Sequence, residues 1–144
     1  MIKLPPIEKI PESYTAIEDN RIKLYDNYAK VLSSDLSKEY IVKWQDNTYY
    51  SNDNSTYWQN YPGYPVIAVL LLQNKLTLNK DISKYFKNIN WNKLNKENKK
   101  DYKKSLEQIL QNYPQDIQTS INQEINNVYE QIKKLDIILT KKKI

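Results

Sequence analysis

The sequence predicts an α+β fold: an N-terminal antiparallel β-meander of three to four strands, a buried central helix, and a helical C-terminal half ending in a long amphipathic helix. Three observations predict it. Between residues 20 and 52, short β-branched and aromatic runs are separated by Asp, Asn and Ser clusters. One apolar run, Val66 to Leu72, follows Pro65 directly. After it, apolar residues recur at helical spacing almost to the C-terminus.

Taken in order, residues 1–12 read as an extended arm, because Pro5, Pro6 and Pro11 disfavour regular structure. A single domain is expected over 13–140. A short helix fits Pro11 to about Asn20, with proline in its first turn. The meander then spans 20–52: Ile22 and Leu24 alternate with polar neighbours, and YAKVLS, EYIVKW and TYYS follow across the turns Asp26-Asn27, Ser33–Ser37 and Gln45-Asp46-Asn47. The polar stretch from Ser51 to Gly63 closes the sheet segment as a loop.

The run of residues 64–75 is apolar almost all round, which marks a buried helix. Gly63, the only glycine, lies between Pro62 and Pro65. A positive φ is expected there, turning the chain into that helix. Helices are expected over 79–112 and 114–139, with Pro114 between them and Asn79 as a cap. In the last one Ile117, Ile121, Ile125, Val128, Ile132, Leu135 and Leu139 recur at spacings of 4, 4, 3, 4, 3 and 4. That is a coiled-coil-like seam, suited to intramolecular packing or to homodimerisation. Residues 141–144 form a basic tail.

Composition excludes several chemistries. There is no Cys and no His, which removes thiolate nucleophiles, imidazole bases, disulfides and the usual zinc ligands. One glycine leaves no room for a phosphate-cradling glycine motif. The longest apolar run has seven residues, against about 20 for a membrane span. The start MIKLPPIEK lacks a signal-peptide apolar core, so a cytoplasmic location is expected. Asn (17), Ile (17), Tyr (13) and 21 Lys against one Arg suggest AT-rich coding, as in many viruses, plasmids and small genomes.

The net charge of +5 is concentrated. Residues 1–63 carry −2, residues 64–104 carry +7, and residues 105–144 are neutral. Lys80, Lys84, Lys87, Lys93, Lys96, Lys99, Lys100, Lys103 and Lys104 supply the excess, and Lys96, Lys100, Lys103 and Lys104 fall on one face of a continuous helix. Such a face can track a phosphate backbone. It can equally be the solvated side of an amphipathic helix, with Glu97 and Asp101 forming local pairs. With a single Arg, bidentate guanidinium reading of guanine is not expected, so DNA or RNA binding through this face would be largely non-specific.

The segment 39–72 resembles the SWIM-type zinc finger, in which a strand pair ends in Cys-x-Cys and a later Cys-x-His enters a helix. EYIVKW and NTYY supply the strands here, Ser51-Asn52-Asp53 and Gly63-Tyr64-Pro65 stand at the ligand positions, and VIAVLL opens the helix. The ligands are absent, so the resemblance implies a zinc-less relative in which aromatic packing from Tyr50, Tyr57, Trp58, Tyr61 and Tyr64 replaces the metal. The family's binding to DNA or to protein partners is what the resemblance implies for function.

The rings of Tyr57, Trp58, Tyr61 and Tyr64 form either a stacking platform and interface or a cover for the sheet edge. Glu18, Asp19, Asp26, Asp35, Asp46 and Asp53 sit in predicted turns or caps, and no catalytic residue, metal or cofactor is assigned. The expected function is a small, basic, non-enzymatic protein that contacts nucleic acid through residues 80–104. The alternative is a protein–protein adaptor or inhibitor, viral or plasmid-borne, acting through the Tyr/Trp loop 49–64 or the C-terminal seam.

Overall fold

The computed structural model describes residues 2–144. Chain order is α1 (Lys9–Glu18), β1 (Ile22–Leu24), β2 (Tyr28–Leu32), β3 (Glu39–Gln45), β4 (Thr48–Ser51), α2 (Asn54–Gln59), α3 (Tyr64–Leu72) and α4 (Lys80–Ser83). A 3₁₀ turn, Lys84–Phe86, leads to α5 (Trp91–Glu97), α6 (Tyr102–Leu110), α7 (Gln115–Lys133) and β5 (Ile138–Thr140). The α+β class and the four-strand meander are as the sequence predicts.

The meander is antiparallel in the order β1-β2-β3-β4, with Ala29 opposite Val42 and Val42 opposite Ser51. These partners share the buried face, and α3 packs on it. Every residue from Pro65 to Leu71 is buried, as an all-round apolar helix requires.

Four expectations need correction. First, α1 begins at Lys9, inside the stretch expected to be an extended arm, and residues 10–17 are all buried. Pro11 sits in the first turn, where a missing N–H breaks no bond. Packing against α3 and α7 makes this helix a core element. Second, residues 54–59 are helical rather than loop: the Asp53 carboxylate accepts from the Thr56 N–H at 3.1 Å, and Asn60 ends the helix at φ 62°.

Third, the basic helix is broken. α5 stops at Glu97, and Lys99 and Lys100 take φ of 54° and 66° before Asp101 caps α6 through the Lys104 N–H. Lys96, Lys100, Lys103 and Lys104 therefore do not line one helix face. Fourth, the last helix stops at Lys133, and residues 138–140 form β5, parallel to β4, with Leu139 opposite Tyr49. Three consecutive apolar β-formers meeting an unpaired strand edge override the helical period.

The seam of α7 is used internally. Ile121, Ile125, Val128 and Ile132 are buried in the chain's own core, and α7 touches α1 and α4. Its apolar face is thus not available as the dimer or adaptor surface the sequence allowed. No helix among the described residues is long and apolar enough to cross a membrane.

The asparagines explain how the chain manages with one glycine. Among the described residues eight non-glycine residues have positive φ, and Asn20, Asn60, Asn74 and Asn88 are four of them; Asn tolerates that region better than other side chains because its amide bonds locally. Asn79 and Asn90 cap helices through their side chains. Gly63 is extended, at φ −75° and ψ 176°, against the expected positive value. Its role is steric: a Cβ there would lie 2.1 Å from Asp53 Oδ2 and 3.0 Å from Ser55 Cβ.

Candidate functional site

A polar cleft of about 520 Å³ opens where the start of α1, the β2–β3 turn, the start of α2 and the α5–α6 junction meet. Each wall is held by local bonds. In the turn, the Asp35 carboxylate accepts from the Ser37 hydroxyl and N–H and from the Ser33 hydroxyl, which hold it well below the usual carboxylate range. The Asn92 N–H donates to Ser34 Oγ at 3.1 Å, fastening α5 to that turn. From below, Trp91 Nε1 donates to Thr15 Oγ1 at 2.8 Å, and Thr15 donates to the Phe86 carbonyl at 2.6 Å. This buried chain of bonds ties α5 to α1.

Lys9 and Glu12 face each other along α1 at 3.6 Å, with side chains 12% and 6% exposed. Lysine and glutamate are rarely this buried unless they are paired. Burial pushes the Glu12 carboxyl above the usual range, with Lys9 and Asn95 opposing. Burial alone would lower Lys9, but Glu12 first, then Tyr102, Tyr61 and Asp53, hold its ammonium above the ordinary lysine value. The ammonium also lies 5.0 Å from the Tyr102 ring centroid, a cation–π distance. The Oε1 atom of Glu12 and the Oδ1 atom of Asn95 are buried and meet no group in hydrogen-bond geometry, while the Asn95 amide lies close enough to Glu12 to favour its charged form.

Tyr40 and Tyr64 line the same cleft edge to face, centroids 6.3 Å apart, and burial raises both hydroxyls. Arg21, the only arginine, is itself buried; it donates to the Leu32 carbonyl and lies 5.9 Å from the Tyr64 ring. Lys38, Lys96 and Lys100 stand on the rim, exposed.

All nine predicted lysines are exposed. Lys80 is paired with Glu18 at 2.8 Å, and Lys84 lies over the Tyr85 ring at 5.3 Å. No carboxylate among the described residues comes within ion-pair distance of the other eight. The local pairs expected from Glu97 and Asp101 do not form, and Asp101 serves as the α6 cap. Of the nine, Lys96 and Lys100 reach the cleft.

The aromatic set divides. Tyr64 belongs to the cleft, whereas Tyr57 packs edge to face on Tyr50 and Trp58, with Lys141 5.9 Å from both Tyr57 and Trp58. Trp58 is 66% exposed, and Tyr61 lies under Lys3 at 5.7 Å. At the positions compared with zinc ligands, polar contacts rather than rings hold the chain. Ser51 donates to Asp53, and the Gly63 N–H donates to Thr56 Oγ1 at 2.9 Å. Among the described residues no group of three or more Asp or Glu side chains could hold a metal ion.

A family model described as "Uncharacterised conserved protein UCP014422" matches residues 2–138. The chain belongs to that family. No curated protein and no solved structure matches it.

Sequence reasoning missed Lys9, Glu12 and Asn95. The available signal was the i,i+3 pairing of Lys9 and Glu12 inside the otherwise apolar KIPESYTAI, where charge on a core helix demands a reason. Another recess, of about 670 Å³, is lined by Asp26, Tyr28, Lys43, Trp44 and Ile144 among others. Unlike the cleft, it contains no buried unpartnered polar atom.

Proposed function

We propose that this is a small non-enzymatic binding protein that contacts single-stranded nucleic acid through the lysines of residues 80–104 and the tyrosine-lined cleft they border. The observation that carries the reading is the set of exposed lysines from Lys84 to Lys104 without an ion-pair partner. Neither nearby carboxylate offsets this charge by an ion pair, because Glu97 stays unpaired and Asp101 caps a helix. Unpaired lysines beside aromatic rings are what a strand of phosphates and stacked bases requires.

The test is fluorescence anisotropy with a labelled single strand at low salt. Wild type binds; a variant with Lys96→Glu, Lys100→Glu and Lys103→Glu loses most of the affinity while keeping its helical circular dichroism. Equal affinity in the two proteins removes these lysines from the interface.

A second reading rests on Trp58, which is 66% exposed beside Tyr57 and Lys141. Exposed Trp and Tyr are enriched at protein-binding hot spots. On that reading the protein is an adaptor, and Trp58→Ala abolishes capture of a protein partner without changing strand binding.

A further inference from the structure

One face of the sheet is covered and the other is open. α3 packs on the face that carries Ala29, Val42 and Ser51. On the opposite face, no residue of β1 to β4 is buried. Register arranges this face in rows. Tyr28, Lys43 and Tyr50 are direct partners across β2, β3 and β4, so a cation stands between two rings. Tyr25, 42% exposed, continues the row: its N–H donates to the Tyr28 carbonyl at 2.8 Å, and the two rings stack with centroids 4.5 Å apart. In the next row Lys23 stands directly opposite Lys30. Rows two residues apart along a strand are separated by about 7 Å.

Like charges directly opposite destabilise a sheet. Among the described residues no carboxylate comes within ion-pair distance of Lys23, Lys30 or Lys43, and Lys43 donates to the Ile144 carbonyl at 3.5 Å. An anion held along the lysine row would remove the repulsion. Glu39 bounds the face beyond that row, and the turn residues Asp26 and Asp46 bound it beyond the rings, so phosphates are confined to the two rows between. We infer that the open sheet face is a further site for single-stranded nucleic acid, with bases stacked along Tyr25, Tyr28 and Tyr50 and phosphates at Lys23, Lys30 and Lys43. Aromatic rings beside cations are the elements of sequence-tolerant strand binding, because every base has a flat face to stack. An acidic peptide would use the lysines and leave the rings without a role. None of the lysines from Lys80 to Lys104 lines the recess beside Tyr28 and Lys43, so the site goes beyond the reading above and shares only its ligand class.

The experiment is fluorescence anisotropy of the full chain with a labelled oligothymidine at low salt, beside photocrosslinking of the same strand carrying 5-iodouracil. Crosslinks are expected at Tyr25, Tyr28 or Tyr50. Tyr28→Leu and Tyr50→Leu each weaken binding about fivefold or more, whereas Tyr28→Phe and Tyr50→Phe bind as wild type. Circular dichroism monitors folding, and Tyr25→Leu, at an exposed ring, replaces either leucine variant that unfolds. Crosslinks confined to residues 80–104 and the cleft tyrosines, with unchanged affinity in the leucine variants, overturn the inference and leave the earlier reading standing. Crosslinks on the sheet, with unchanged affinity after Lys96→Glu, Lys100→Glu and Lys103→Glu, uphold the inference and remove those lysines. A polyglutamate peptide that matches the strand's affinity in wild type and in the leucine variants assigns the face to acidic chains and overturns the inference.

Discussion

Replacing Gly63 by Ala tests the junction on which the cleft wall depends. Gly63 has φ −75°, so alanine meets no backbone penalty, and the smaller entropy of the unfolded chain favours alanine by about 0.4–1 kcal/mol. The added methyl, however, falls 2.1 Å from Asp53 Oδ2. The carboxylate must swing away, giving up the Thr56 N–H it caps and the Ser51 hydroxyl that donates to it. Loss of the cap costs about 1 kcal/mol, and loss of a hydrogen bond to a charged group about 1.5–3 kcal/mol. Net destabilisation of about 2–3 kcal/mol is expected in urea unfolding followed by circular dichroism. In an Asp53→Ala background the clash disappears except for Ser55 Cβ at 3.0 Å, so Gly63→Ala then costs about 1 kcal/mol or less. Additive costs in the double variant, or a Gly63→Ala protein as stable as wild type, refute a steric role for this glycine.

The remaining predictions concern the core and the buried ion pair. Ile132→Ala, which truncates a fully buried residue of α7, lowers stability by about 2–4 kcal/mol in the same assay without altering mass by light scattering. A dimer that dissociates on this substitution instead places the seam between chains. The Glu12 carboxyl is raised by burial, so between the ordinary carboxylate value and its folded value the native state binds more protons than the unfolded chain. Wild type should therefore lose stability relative to Glu12→Gln as pH rises from about 4.5 through the raised value, the range where the unfolded residue ionises first. A wild type that gains on the variant over that range contradicts the assignment.

The elements legible in the sequence were those whose pattern a single period describes. EYIVKW alternates because one face of β3 is buried, and VIAVLLL is apolar throughout because α3 is covered on every side. The failures have a common physical origin: a local device overriding a continuing period. The break at Lys99 and Lys100 uses left-handed lysines rather than glycine, held by the Lys100 N–H on the Asn95 carbonyl at 2.7 Å, so nothing punctuates NKENKKDYKK. Leu135 and Leu139 continue the heptad numerically although the helix has already ended at Lys133. Asp53-Asn54-Ser55-Thr56 reads as turn material, and it is also a helix start once Asp53 caps.

The candidate site was half legible. Lysine charge was visible as a count, and Tyr64 as part of an aromatic cluster. The cleft itself was not, because it assembles residues from 9 to 102 through contacts such as Trp91 to Thr15 and Asn92 to Ser34. No window of sequence contains them together.

Salt dependence of strand binding decides most directly whether the lysine surface meets phosphates. Plotted as log affinity against log salt concentration, a short single strand is expected to show a steep negative slope, about −0.7 for each phosphate neutralised. Five lysines in contact correspond to a slope of about −3.5, falling toward about −1.4 when Lys96, Lys100 and Lys103 are reversed to Glu. A flat plot, or no binding at low salt, contradicts the proposed function.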